Sequence, residues 1–179
     1  MVKLLAVVAP MVIGAWPSSV FAEGEFTTAY GVTYEVLENG ETQVTQNIAL
    51  TNKTKDFYAS EYTLIIGSPR VKDIVATDPQ GPLKTNVQTQ EDRTQIHVVF
   101  NSPIVGLDKT LNWTLKYKTL DTAVKSGSVW EVNIPRLSPQ AEIEAYNVTL
   151  KVPTSFGPLM YVSPAPVNQP PFAEASGGT

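Results

Sequence analysis

Between Phe26 and Thr51 the chain alternates. Phe26, Tyr30, Val32, Tyr34, Val36, Val44, Ile48 and Leu50 take even positions, while Thr27, Thr33, Glu35, Thr45, Asn47 and Thr51 stand between them. A period of two on both sides of Glu38-Asn39-Gly40 predicts two half-buried strands joined by a tight turn. An Asn-Gly pair commonly makes a two-residue hairpin loop. Such a loop would set Val36 opposite Gln43 and send the two apolar sets to opposite faces. A three-residue loop, Glu38 to Gly40 with Gly40 left-handed, sets Val36 opposite Thr42 and Tyr34 opposite Val44. Both apolar sets then face one core. The class implied is all-β.

The same alternation recurs downstream. Tyr58, Tyr62, Leu64 and Ile66 share a face of a third strand that starts at Phe57, and Gly67-Ser68-Pro69 ends it. Val71 to Thr77 is a short fourth strand, and Leu83 to Thr89 alternates weakly enough to be an edge. Ile96, Val98 and Phe100 point inward from the next strand, which Asn101-Ser102-Pro103 is expected to close. Leu111, Trp113, Leu115 and Tyr117 alternate most cleanly. Trp130, Val132 and Ile134 come after Ser126-Gly127-Ser128, and Arg136 to Ala141 is a loop. Tyr146, Val148, Leu150 and Val152 make the last strand. About nine short strands with turns between them predict a two-sheet antiparallel β-sandwich of immunoglobulin-like type, with a β-barrel as the alternative. Trp113 and Trp130 are both expected in its core.

Both termini differ in texture. Lys3, the apolar run Leu4 to Trp16 and the ending Val20-Phe21-Ala22 have the parts of a secretory signal peptide, with the cut after Ala22. The apolar run is shorter than the roughly 20 residues of a membrane span and contains Pro10. An uncleaved anchor remains the other possibility. Residues 25–153 form the expected sandwich domain. Residues 154–179 hold Pro158, Pro164, Pro166, Pro170 and Pro171, the composition of an extended linker. A further domain is expected beyond it. Localisation is then extracytoplasmic, secreted or at the cell surface.

Catalytic chemistry finds little to work with. The chain has no cysteine and one histidine. That histidine, His97, alternates with Ile96 and Val98 and so should face outward. No Gly-x-Ser-x-Gly elbow presents a serine to it, and a histidine-based zinc site lacks ligands. Asp73, Asp78, Glu91 and Asp92 lie near turns but without the close spacing of a dedicated calcium loop. No catalytic, metal or cofactor-binding residue is therefore assigned. A net charge of −4 offers no basic patch for nucleic acid. Three Asn-x-Thr sequons begin at Asn52, Asn112 and Asn147, which alternating outward Asn and Thr would also generate by chance. Tyr30, Tyr34, Tyr58, Tyr62, Tyr117 and Tyr146 are in phase with aliphatic residues. They are expected to be core aromatics whose hydroxyls reach the rim, not a sugar-stacking face.

The run Thr33 to Asn52 resembles the front of exported bacterial proteins that carry a transglutaminase-like domain further on. Tyr58-Ala59-Ser60-Glu61-Tyr62, Leu111-Asn112-Trp113-Thr114-Leu115, Val129-Trp130-Glu131-Val132-Asn133-Ile134-Pro135 and the proline-rich exit extend the likeness over roughly Glu25 to Pro166. In that family the catalytic Cys, His and Asp belong to the later domain, so the resemblance places none of them here. What it implies is a role: a non-catalytic β-sandwich ahead of an enzyme domain, whose partner is the downstream part of the same polypeptide. The alternative is an independent surface module that binds a cell-envelope protein or glycan.

Overall fold

The computed structural model describes residues 24–135 and 142–167. The expected signal peptide at residues 1–22, the loop Arg136 to Ala141 and the linker residues 168–179 lie outside the described residues.

The opening hairpin is β1 (Phe26–Val36) and β2 (Thr42–Asn52), with Val36 opposite Thr42 and Tyr34 opposite Val44. Leu37 N–H donates to the Glu41 carbonyl at 2.8 Å, and Gly40 N–H to that of Leu37 at 2.9 Å. Gly40 has φ +83°, and a Cβ built there would meet the Trp130 ring at 2.9 Å. Conformation and close approach both require glycine at this position.

The rest of the chain gives β3 (Tyr58–Ile66), β4 (Val71–Asp78), β5 (Gly81–Pro82), β6 (Lys84–Thr89), β7 (Thr94–Val105), β8 (Thr110–Thr119), β9 (Ala123–Ser126), β10 (Val129–Val132) and β11 (Glu142–Lys151). A six-stranded sheet runs in the order β11-β1-β2-β8-β4-β5. A three-stranded sheet, β3-β7-β6, covers part of it, and β9-β10 is a separate ribbon. The fold is a β-sandwich, and no sheet closes into a barrel. Phe26, Tyr30, Val32, Tyr34, Val44, Ile48 and Leu50 from the hairpin join Tyr62, Leu64, Ile96, Val98, Trp113 and Leu115 in one core between the sheets. Burial of each large side chain contributes about 1.5–3 kcal/mol.

Several local expectations change. Ala59, not Tyr58, is buried at the start of β3, and Tyr58 is 64% exposed. The cause is a bulge between Ala59 and Glu61 that reverses the alternation. Asn101-Ser102-Pro103 does not end β7. Those residues bulge out of the ladder, and Ile104 and Val105 resume pairing with Ala59 and Tyr58. Pro103, which has no N–H, is thereby kept out of the hydrogen bonds. The expected core position of Trp130 is also corrected. It lies on the ribbon, half-buried, stacked on Phe156 with ring centroids 4.2 Å apart and planes 3° apart. The final strand is not antiparallel either. β11 pairs parallel with β1, Tyr30 beside Tyr146 and Tyr34 beside Leu150.

Candidate functional site

Tyr30, Tyr34, Tyr62 and Tyr117 are buried inside the sandwich with their hydroxyls, whereas Tyr58 and Tyr146, expected in the core with them, are exposed. Tyr30 and Tyr62 hydroxyls share a buried hydrogen bond of 2.7 Å. The buried Gln46 Nε2 donates to Tyr117 Oη at 3.3 Å, which explains a glutamine on the apolar face of β2. Burial raises the ionisation of Tyr30, Tyr34 and Tyr117 well above the ordinary phenol value, and Tyr neighbours add to it at Tyr30 and Tyr34. These are neutral structural hydroxyls.

His97 lies on the outer face of the three-stranded sheet. Nδ1 is 3.2 Å from Thr63 Oγ1 and Nε2 is 3.3 Å from Glu61. The four turn carboxylates are not brought together. Asp73, at φ +54° in a bulge of β4, pairs with Lys118 at 2.9 Å. Asp78 caps the β4–β5 turn through Gln80 and Gly81 N–H and receives Asn101 Nδ2 at 3.0 Å. Asp92 pairs with its neighbour Arg93, and Glu91 is exposed. Among the described residues, no three His, Asp or Glu side chains converge on a metal-sized space.

One serine does meet a carboxylate. Ser68, buried in the β3–β4 turn, donates to Asp121 in the β8–β9 turn and lies 3.1 Å from Thr119 Oγ1. Arg70 binds the same carboxylate. Burial pushes the Asp121 carboxyl up. The hydrogen bonds from Arg70 and Ser68 outweigh it and hold the group below the usual carboxylate range. Among the described residues the one carboxylate bonded to Ser68 is already held by arginine, an arrangement that does not make it a general base for the serine. The cluster ties two turns together.

The sequons have different fates. Asn52 is buried, not outward. Its Nδ2 donates to the Phe57 carbonyl at 2.7 Å, and Oδ1 accepts Thr54 N–H at 2.9 Å and Thr54 Oγ1 at 3.0 Å. This Asn-x-Thr is a turn lock. Asn112 and Asn147 are exposed on the outer face of the six-stranded sheet.

That face carries a feature that alternation alone does not mark. Asn147, Gly31, Asn47, Thr114 and Thr77 lie side by side in one row across five strands, β11-β1-β2-β8-β4. The neighbouring row is Ala145, Ala29, Ala49 and Asn112. Ala29 and Gly31 on β1 and Ala49 on β2, with Asn147, Asn47 and Asn112 around them, leave an open trough of about 450 Å³. Thr114 Oγ1 donates to Asn47 Oδ1 at 3.0 Å, and Asn47 is exposed. Apart from Asp78 at one edge the lining is uncharged. Charges collect beyond the trough, where Lys72, Lys118 and Glu41 cluster with Asp73. The legible signal was Ala29, Gly31 and Ala49 at outward positions that β-strands usually fill with longer polar groups.

No family model matches the chain, and no curated protein matches it. Among solved structures, two of the E→A mutant of an M1 zinc metallopeptidase from Deinococcus radiodurans are similar, one of them bound to a Tyr-Ser-Ala substrate. They share 16% and 17% identity with this chain at a TM-score of 0.33, over 61% of it and 23% of theirs. The chain thus spans about a quarter of their length, and so low a TM-score carries no argument about fold or activity.

Proposed function

We propose that this chain is a non-catalytic β-sandwich module of an exported protein that positions a further domain in the same polypeptide. The observation that carries this reading is the clamp at the exit of the sandwich. After β11, Pro153 leads into a single 3₁₀ turn, Thr154–Phe156. Phe156 stacks flat on Trp130, and Ser155 Oγ reaches Glu38 in the β1–β2 turn at 3.5 Å. Beyond the clamp the chain runs exposed, with Met160 at 84% and Tyr161 at 82%. A clamp and then an extended proline-bearing run set the direction in which the chain leaves and hold the next domain at a distance. The resemblance to the region ahead of transglutaminase-like domains supports the same role. The test is the reading frame beyond Thr179. A folded domain there, with Cys, His and Asp, supports this reading, and an immediate stop codon sinks it.

A second reading rests on the trough. An uncharged floor edged by Asn47, Asn112 and Asn147 offers amide donors and acceptors to a hydroxyl-rich partner such as an envelope glycan. Binding of the chain to isolated cell-wall glycan, lost in Asn47→Ala with Asn112→Ala, would support it. Equal retention of wild type and variant would remove it.

A further inference from the structure

The large sheet ends in an open strand. Among the described residues β11 pairs with β1 and with nothing on its other side. The other edges of the six- and three-stranded sheets are blunted. β5 is two residues long and contains Pro82, β6 is polar at all positions but Val87, and β3 is broken by its bulge. β11 has ten residues, and its core-side stripe extends past the small sheet, so Ile143, Tyr146, Val148 and Leu150 are 37–42% exposed. Glu142 and Lys151, at its two ends, have no ionic partner among the described residues.

We propose that β11 pairs antiparallel with β11 of a second copy of this chain, with Asn147 on the two-fold axis. In that register Val148 meets Tyr146 of the second copy and Thr149 meets its Ala145. The bulge in β11 then decides the ends. Relative to β1, Thr28 is beside Ile143 and Ala29 beside Ala145, so Glu144 is the extra residue. With Glu144 looped out, Leu150 meets Ile143 of the second copy and Lys151 meets its Glu142. Every large apolar residue faces an apolar one, and opposite charges meet at both ends. Without the bulge, Lys151 would face Ile143 and Leu150 would face Glu144. Moving the axis to Tyr146 or Val148 leaves Lys151 without an acidic partner. An isologous pair of this kind joins two six-stranded sheets into one. Its area is at the small end of the range for specific interfaces, below about 1,200 Å², so the association is concentration dependent.

The chain has no cysteine, which makes the test clean. Asn147→Cys in the purified full chain places two thiols on directly opposed residues, whose Cα atoms sit about 4.5–5.5 Å apart, within disulfide reach. Thr149→Cys places them four residues out of register, about 13 Å apart along the strands. The expected result is rapid oxidation of Asn147→Cys to a covalent dimer and little dimer from Thr149→Cys. In sedimentation equilibrium, Lys151→Glu should raise the dimer dissociation constant by about tenfold or more, and Glu142→Lys with Lys151→Glu should restore it. Both cysteine variants cross-linking equally slowly, a monomeric wild type at high concentration, or failure of the double charge reversal to restore pairing would overturn the proposal.

Discussion

Trp113 and Trp130 carry the same sequence signature and hold different positions. Trp113 is buried between Tyr62 and Phe100, with centroids at 5.7 and 5.9 Å. Trp113→Ala should cost about 3–5 kcal/mol in urea unfolding. Trp130 has one ring partner and an exposed edge, so Trp130→Ala should cost about 1–2 kcal/mol. Equal losses would contradict the placement of Trp130 outside the core. His97→Ala, on the outer face, should change stability by no more than about 0.5 kcal/mol. Asp121 supplies a pH dependence. Its folded-state ionisation lies below that of the unfolded chain. Its contribution is therefore present above about pH 4 and is lost as pH falls through the lower folded value. Asp121→Asn should remove that part of the acid slope in unfolding midpoints measured from about pH 6 down to about pH 2. An unchanged slope would show that the Ser68–Arg70 tie stores no such energy.

At the level of elements, alternation made most of the fold legible. The parity of Val36 and Val44 was enough to select the three-residue loop, because a slip by one residue would have exposed half the core. Alternation failed where a bulge inserted a residue. Tyr58 and Asn101-Ser102-Pro103 obey no periodic rule that spans the break, and their places are set by pairing between β3 and β7. It also failed for direction, since a strand's sequence does not say whether its neighbour runs parallel. The trough was missed for a related reason. Asn47 and Asn147 lie far apart in sequence, and only sheet order brings Gly31 between them. The exit segment allows a prediction of its own. Val167 is 98% exposed, and Leu159, Met160, Tyr161 and Val162 before it are exposed as well. A chain ended at Pro166 should keep the unfolding midpoint of the full chain. A large drop in that midpoint would mean that the later residues belong to the fold and are not a spacer.

For the whole molecule, the sandwich combines an interior closed by tyrosine hydroxyls with two outer surfaces free to meet partners. Phenolate formation at Tyr30, Tyr34 and Tyr117 is opposed by burial, so their contribution to stability persists below about pH 10 and is lost as pH rises further. Their phenolate absorbance should therefore appear together with loss of near-ultraviolet circular dichroism. The trough and the β11 edge share the six-stranded sheet, and the clamp at Phe156 sets where the chain departs from it. In our proposal the sandwich is the exported front part of a larger polypeptide. Intact mass spectrometry of the protein secreted by its own cells, captured through the sandwich, decides the matter. The expected mass is that of a chain that begins at Glu23 and continues past Thr179. A mass matching a product that retains Met1, or one that stops at Thr179, would refute the proposal.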